Sequence, residues 1–312
     1  MSKFIVEVKD LIYEYPDFRA LHKVNLQIEF GTVTALVGPN GAGKTTLMRC
    51  IAALTIPLSG NILVDGINTT ENPREIHKRI GYLSDFYGLY ENLTAQQCLE
   101  FMAYAKDIPH NEIENRIQWI VNLLNMEELM DKKCKSMSRG QKQKTAIAMS
   151  VIHKPKFVLL DEPASGLDPT ARNQLSLMIK NLAKEGITFL ISSHILTELQ
   201  DYSDHLLVIE RGRILEHKPL LAVTKTHGKR YQFKLATPME LSTLTDKISQ
   251  IPYIDLDSIS HDDDIFYFTY TGNEEEQKQL LFQLVQAQIP ISELTEAHLN
   301  LQSEYLKSLK KN

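Results

Sequence analysis

The stretch GPNGAGKTT at 38–46 contains, in its first eight residues, the pattern G-x-x-x-x-G-K-[ST] of a phosphate-binding loop. Gly38, Pro39, Asn40, Gly41, Ala42 and Gly43 form the loop. Gly41 and Gly43 let the backbone curl so that N–H groups converge on phosphate oxygens, helped by the N-terminus of the helix that follows. Lys44 then reaches the β- and γ-phosphates of a nucleotide, the Thr45 hydroxyl holds Mg2+, and Thr46 follows at the start of the helix. The run FVLLDEP at 157–163 ends in two acids. Neighbouring side chains of a strand point oppositely, so Asp161 and Glu162 are expected to take separate jobs. Asp161 belongs in the Mg2+ shell, and Glu162 is the base that polarises an attacking water. In MSRGQ, 137–141, Ser138 is a helix N-cap with Gln141 three residues on, a capping box. Its hydroxyl and the Gly140 backbone make that helix start an anion site. Asp168 and Pro169 read as a further helix start, an N-cap followed by proline at the first helical position.

These residues need elements to hold them. VNLQIEFGTVTALVG (24–38) begins with strict alternation, Val24, Leu26, Ile28 and Phe30 on one face, and reads as a half-buried strand. A denser apolar run, 33–37, leads into the phosphate loop, and the helix TTLMRCIAAL follows it. FVLL (157–160) and ITFLIS (187–192) are further buried strands, each ending in a polar cluster before a helix. Strand, polar loop and helix in repetition imply a parallel α/β sheet with ligands at the strand C-termini. Between about 85 and 150 the pattern is mostly helical: Thr94 and Gln97 form a capping box, and Ile113, Ile117, Ile120, Val121 and Leu124 share a helix face. LLVIERGRILE (206–216) reads as a hairpin turning at Arg211 and Gly212.

The first domain is expected over 1–221, a polar linker over 222–230, and a second domain over 231–312. In the latter, YQFKL, the helix of Leu241, Leu244, Ile248 and Ile251, IDLDSIS, IFYFTY and the helix EEEQKQLLFQLVQAQ follow in β-α-β-β-α order. That order suggests a small C-terminal α+β, ferredoxin-like domain. LNLQSEYLKSLKK reads as a tail helix.

Composition narrows the classes. The chain has 312 residues and a formal net charge of −5, so no global basic field draws nucleic acid. Cys50, Cys98 and Cys134 are far apart and odd in number, which argues against a disulfide framework or a metal cluster and for a reducing compartment. No stretch approaches the roughly 20 apolar residues of a membrane span, and MSKFIVEVKD has no apolar signal core. The expectation is a cytosolic chain whose membrane contact passes through a partner.

The phosphate loop, FVLLDEP, SRGQKQK (138–144), SGLD (165–168) and SSH (192–194) stand in an order that resembles the ATPase of an ATP-binding cassette (ABC) transporter, over about residues 3–220. The resemblance implies an α/β fold: a P-loop NTPase (RecA-like) parallel-sheet core with an antiparallel β subdomain and a helical signature subdomain. It implies ATP and Mg2+ as cofactors. MSRGQ is similar to the family signature, which binds the γ-phosphate of ATP held by the other subunit; here Arg139 stands where glycine is commonest and Met137 replaces leucine. His194 resembles the histidine that links the γ-phosphate to the catalytic glutamate. Tyr15 resembles the aromatic that stacks on adenine, with Tyr13 as its rival. Asp168 resembles a residue that acts across the dimer interface. With one phosphate loop and one signature, the chain is expected to meet a second copy head to tail and to trap two ATP molecules.

The same resemblance implies separate transmembrane permease subunits, and a position on the cytoplasmic face of the inner membrane. The tail LNLQSEYLKSL loosely resembles that of exporter-type (ABC-2-like) ATPases. Asp85 stands where the family has a glutamine that touches Mg2+ and water. A carboxylate also binds metal through oxygen, yet it adds charge beside a triphosphate. Binding metal through water and hinging the loop are both open at this point. Phe86, Tyr87 and Tyr90 fall where the family meets its permease, so Asp85–Tyr90 is the expected contact, with packing inside the helical subdomain as the rival. The alternative function is a soluble ABC ATPase that works as a mechanical switch on nucleic acid or ribosomes.

Overall fold

The computed structural model describes residues 3–86, 88–194, 199, 202–220, 229–237, 239–262 and 265–296. Tyr87, most of the expected linker and the expected tail helix lie outside the described residues. The chain divides into two compact units, one reaching residue 220 and one running from 221 to 300.

The first unit opens with an antiparallel sheet. Strands β1 (Phe4–Tyr15), β2 (Phe18–Glu29), β3 (Val33–Val37), β4 (Ser59–Val64) and β5 (Ile67–Asn68) come first, and four of them form the order β2-β1-β4-β5. The alternation read in 24–30 is real for Val24, Leu26 and Ile28, which pair with Leu11, Val8 and Val6 and are buried. Phe30 departs from it. The strand stops at Glu29, Gly31 turns the chain with φ 72, and Phe30 is left exposed.

β3 is the centre of a second sheet. With β6 (Ile80–Leu83), β7 (Phe157–Leu160), β8 (Thr188–Ser193), β9 (His205–Glu210) and β10 (Arg213–Pro219) it makes the order β10-β9-β3-β8-β7-β6. All neighbours are parallel except the β9–β10 hairpin, which turns at Arg211 and Gly212, both with positive φ. Every residue of β3, β7 and β8 is buried, as expected for parallel strands covered on both faces. Helix α1 (Lys44–Ile51) starts at the end of β3 and sends Leu47, Met48 and Ile51 into the core that joins the two sheets through Val6, Leu36, Leu159 and Leu207. Each such side chain contributes about 1.5–3 kcal/mol by leaving water.

Between β6 and β7 lies the helical region, preceded by α2 (Pro73–Arg79). It contains α3 (Ala95–Ala105), α4 (His110–Leu124) and α5 (Arg139–Val151). The Thr94 box is reciprocal: Gln97 N donates to Thr94 Oγ1 at 3.2 Å, and Thr94 N donates to Gln97 Oε1 at 2.9 Å. The five residues predicted on one face of α4 are all buried. Cys98 and Cys134, distant in sequence, meet here with sulfurs 3.6 Å apart, and burial pushes the Cys98 thiol up to about 12. Helix α6 (Pro169–Lys184) follows β7 and is capped by Asp168, whose Oδ1 accepts from Ala171 N at 2.9 Å.

The second unit runs β11 (Lys229–Leu235), α7 (Leu241–Ile248), β12 (Ile254–Asp262), β13 (Ile265–Tyr270), α8 (Glu274–Gln286), β14 (Ile291–Glu296). Its sheet order is β12-β13-β11-β14 with all neighbours antiparallel, the ferredoxin-like arrangement. Tyr231, Phe233, Phe268 and Tyr270 pack against Leu244, Ile248, Leu280 and Leu284. Two details differ from the sequence reading. Helix α7 ends at Ile248, so Ile251 is buried from the turn beyond it. The closing strand β14 was not read, because its only inward-leaning residues, Ile291 and Leu294, are three apart rather than alternating.

Candidate functional site

The phosphate loop leaves β3 against a hard wall. A Cβ at Gly38 would lie 2.2 Å from the Ile209 carbonyl oxygen, so only glycine lets the loop start so close to β9. Gly43 caps α1 with φ 105, a left-handed conformation, and a Cβ there would meet the Ala20 carbonyl at 3.0 Å. Lys44 is 6% exposed, and its Nζ donates back to the carbonyls of Gly38 at 2.8 Å and Pro39 at 3.2 Å. Those bonds fold the side chain over its own loop.

At the tip of β7 the two acids do separate. The reason is not strand alternation. The strand ends at Leu160, and Glu162 turns into the left-handed region with φ 50, a conformation worth about 1 kcal/mol of strain in a residue with a Cβ. Ser192, at the end of β8, holds both. Its Oγ donates to Asp161 Oδ1 at 2.5 Å and accepts from Glu162 N at 2.9 Å. Asp161 is 1% exposed, and its Oδ2 has no hydrogen-bond partner. Burial raises its carboxyl above the ordinary range; the Ser192 and Thr45 hydroxyls pull it down, and the charges of Asp85 and Glu162 push it further up. Glu162 faces the other way, with Oε1 3.4 Å from Lys44 Nζ and Oε2 accepting from His194 Nδ1 at 2.6 Å.

Tyr15, Phe18, Thr46, Asp85, Glu162 and His194 share one open cavity of about 500 Å3 with Asn40, Gly41 and Lys44 of the loop. Tyr15 closes β1, and its hydroxyl lies 3.2 Å from Thr46 Oγ1. Tyr13 instead packs on the core, its ring meeting Tyr15 edge-on at 5.0 Å. The sequence reading missed Phe18, which stacks on Tyr15 at 5.1 Å and is 59% exposed. Its signal was available: three residues past Tyr15, it sits directly across a two-residue turn. Ser192 was missed as well, although it lies inside the SSH segment from which only the histidine was taken. A larger cavity of about 680 Å3, walled by Asn25, Glu29, His205 and His217, contains no residue of the phosphate loop.

Ser138, Gly140 and Gln141 are not brought to this cavity. Their box at the start of α5 is complete, with Gln141 N donating to Ser138 Oγ at 3.3 Å and Ser138 N to Gln141 Oε1 at 3.1 Å. Lys132 Nζ donates to the same Gln141 oxygen at 2.8 Å. Phe86 is 81% exposed, and Tyr90, also exposed, meets Phe101 edge-on at 5.1 Å. Tyr90 and Phe101 border a groove of about 380 Å3 with His77, Lys106, Met149 and His153.

Known proteins share this organisation. The family model described as ABC transporter matches residues 21–165, and one described as an AAA domain, putative AbiEii toxin, matches 134–200. The ABC transporter ATP-binding protein NatA of Bacillus subtilis is 39% identical over 198 residues, covering 63% of this chain and 80% of that protein. The bacitracin transport ATP-binding protein BcrA of Bacillus licheniformis is 35% identical over 233 residues, covering 74% of this chain and 75% of that protein. Among solved structures, CbiO1 of Clostridium perfringens, part of the ABC transporter complex CbiONQ, is 31% identical with a TM-score of 0.65, covering 70% of this chain and 89% of that one. An ATP-binding cassette in its ADP conformation is 25% identical with a TM-score of 0.63, covering 70% and 92%. This chain belongs to the ABC transporter ATP-binding proteins.

Proposed function

We propose that the chain binds ATP in the cavity above the phosphate loop and hydrolyses it with Glu162 as general base, to drive separate transmembrane permease subunits. The observation that carries the reading is Glu162, strained and gripped between Lys44 and His194 at the lip of the loop. The carboxylate accepts a proton from the water as its oxygen attacks the γ-phosphorus, and the bond to the β-γ bridging oxygen breaks. Lys44 neutralises charge on the phosphates, while His194 donates to the far oxygen of Glu162 and fixes its direction. The loop amides of Gly41, Ala42 and Gly43 and the Thr46 side of α1 hold the phosphate chain. Tyr15 and Phe18 offer the base an aromatic wall.

The donor set fits Mg2+. Asp161 presents an unpartnered buried oxygen, an arrangement costly without a cation, beside the Thr45 hydroxyl. Asp161 and Thr45 would hold the ion, and Asp85 at the mouth would reach it through water. Bound there, Mg2+ neutralises charge on the β- and γ-phosphates.

Because Ser138, Gly140 and Gln141 stand outside their own chain's cavity, they act on the nucleotide of a second copy, and the pair closes on two ATP molecules. The permease meets Asp85–Tyr90, where Phe86 and Tyr90 are exposed, at the cytoplasmic face of the membrane. Export is the direction proposed, on the loose resemblance of the tail LNLQSEYLKSL to exporter-type ATPases. The relatives reported are named for transport and give no support to a soluble switch on nucleic acid or ribosomes. The test is Glu162→Gln: hydrolysis falls by about 100-fold or more while ATP still binds and a stable dimer forms on sizing. A variant with wild-type turnover, or one that stays monomeric with ATP, overturns the mechanism.

A further inference from the structure

Two charged residues of this chain depart from the family pattern, Asp85 and Arg139, and both wall the same cavity. This second cavity, about 400 Å3, lies beside the nucleotide cavity and is lined by Asp85, Glu91, Met137, Arg139 and Lys142 among others. Asp85 belongs to both cavities. It shares the nucleotide cavity with Glu162, Lys44 and Thr45, so its carboxylate adds negative charge beside the phosphate loop.

Arg139 is exposed, yet its side chain is laid against a neighbouring turn. Its guanidinium lies flat on Gly166: a Cβ at that position would be 2.4 Å from Nη1, 2.5 Å from Cζ and 2.8 Å from Nη2. Gly166 follows Ser165, which lines the nucleotide cavity. The guanidinium therefore touches the 165–168 turn on one side and faces the cavity of Asp85 on the other. A surplus acid and a surplus base, each absent from the common pattern, flank one space.

Resting on the ATPase reading above, we propose that Arg139 is a positioning residue that pairs electrostatically with Asp85 and so couples the loop at 85, the 165–168 turn and the signature helix of one chain. Each departure compensates the other. Asp85 without Arg139 leaves an unbalanced negative charge beside a triphosphate; Arg139 without Asp85 leaves a cation with no anchor on the loop. The two exposed charges act across the cavity rather than as a contact ion pair, so their coupling weakens with salt.

A double-mutant cycle tests it. Asp85→Gln and Arg139→Gly are each expected to lower ATP turnover about tenfold, and the double variant to lose only about twofold rather than the roughly hundredfold of independent sites. Arg139→Lys retains most activity, and Glu91→Gln leaves the coupling in place. A second readout does not depend on turnover. In a Glu162→Gln background, the ATP concentration that half-dimerises the chain rises in either single variant and returns toward the parent in the double, and the difference shrinks in high salt. Additive losses, or coupling of Arg139 to Glu91 instead of Asp85, overturn the proposal. If the parent chain neither hydrolyses nor dimerises with ATP, it is the ATPase reading that fails, and melting curves of the variants separate both outcomes from misfolding.

Discussion

The phosphate loop and the signature helix are both helix starts with polar groups at their tips, yet they are built in opposite ways. Around the loop, side chains are over-determined: Lys44 is folded back on two carbonyls, Asp161 is buried, and Glu162 has a partner at each oxygen. At the start of α5, Ser138 and Gln141 satisfy each other and look outward. The difference teaches which half is complete alone. On the proposed mechanism, the site that works on its own nucleotide is rigidified from within, whereas the one offered to a second copy is held by its own cap and by Lys132 at Gln141.

The largest expected effect falls on that contrast. Ser138→Ala should reduce turnover about 100-fold while leaving nucleotide binding to the single chain unchanged, measured by titration with a fluorescent ATP analogue. The lost cap itself costs about 1 kcal/mol, which a melting curve will register separately. A variant that loses nucleotide binding in the monomer would erase the distinction between the two halves.

A middle-sized effect concerns the buried acid. Burial raises the folded carboxyl of Asp161 above its ordinary value of 3.8, so the fold binds this proton more tightly than the unfolded chain. Stability is then lost as pH rises from the ordinary value through the raised one. Without metal or nucleotide, Asp161→Asn should melt about 3 °C higher than the parent at neutral pH, and it should lose the stabilisation that Mg2+ with ATP gives. A lower melting point would mean that the charged acid stabilises the empty site.

The smallest effect probes the aromatic wall. Phe18→Ala should raise the KM for ATP by roughly fivefold with kcat unchanged, since an exposed stacked ring contributes about 1 kcal/mol. An unchanged KM would leave the base to Tyr15 alone.

Much of this was legible in sequence because local rules dominate there. The loop glycines, the caps at Thr94, Ser138 and Asp168, and the hairpin at Arg211 and Gly212 each need only neighbouring residues to be recognised. What stayed hidden depends on tertiary approach. Ser192 bridges two acids that follow a different strand, 30 and 31 residues away. Cys98 and Cys134 touch across 36 residues. The separation of Asp161 from Glu162 was anticipated for the wrong cause, because no periodicity announces a left-handed residue after a strand. Strand β14 was invisible because it packs with little of the alternation that marks a strand.

The helical region is an insertion between β6 and β7, which are neighbours in the parallel sheet and pair from Ile80 with Phe157 to Leu83 with Leu160. The chain leaves for the helices through Asp85, just past the tip of β6, and the adjoining tip of β7 leads into Asp161, whose N–H is tied to the Leu83 carbonyl at 2.8 Å. Mechanically, the exposed ring of Phe86 is one peptide from Asp85 and three residues from Leu83, whose carbonyl holds Asp161. If a permease presses on that ring, as proposed, the push has only three residues of chain to cross before it reaches the strand tip that holds Asp161.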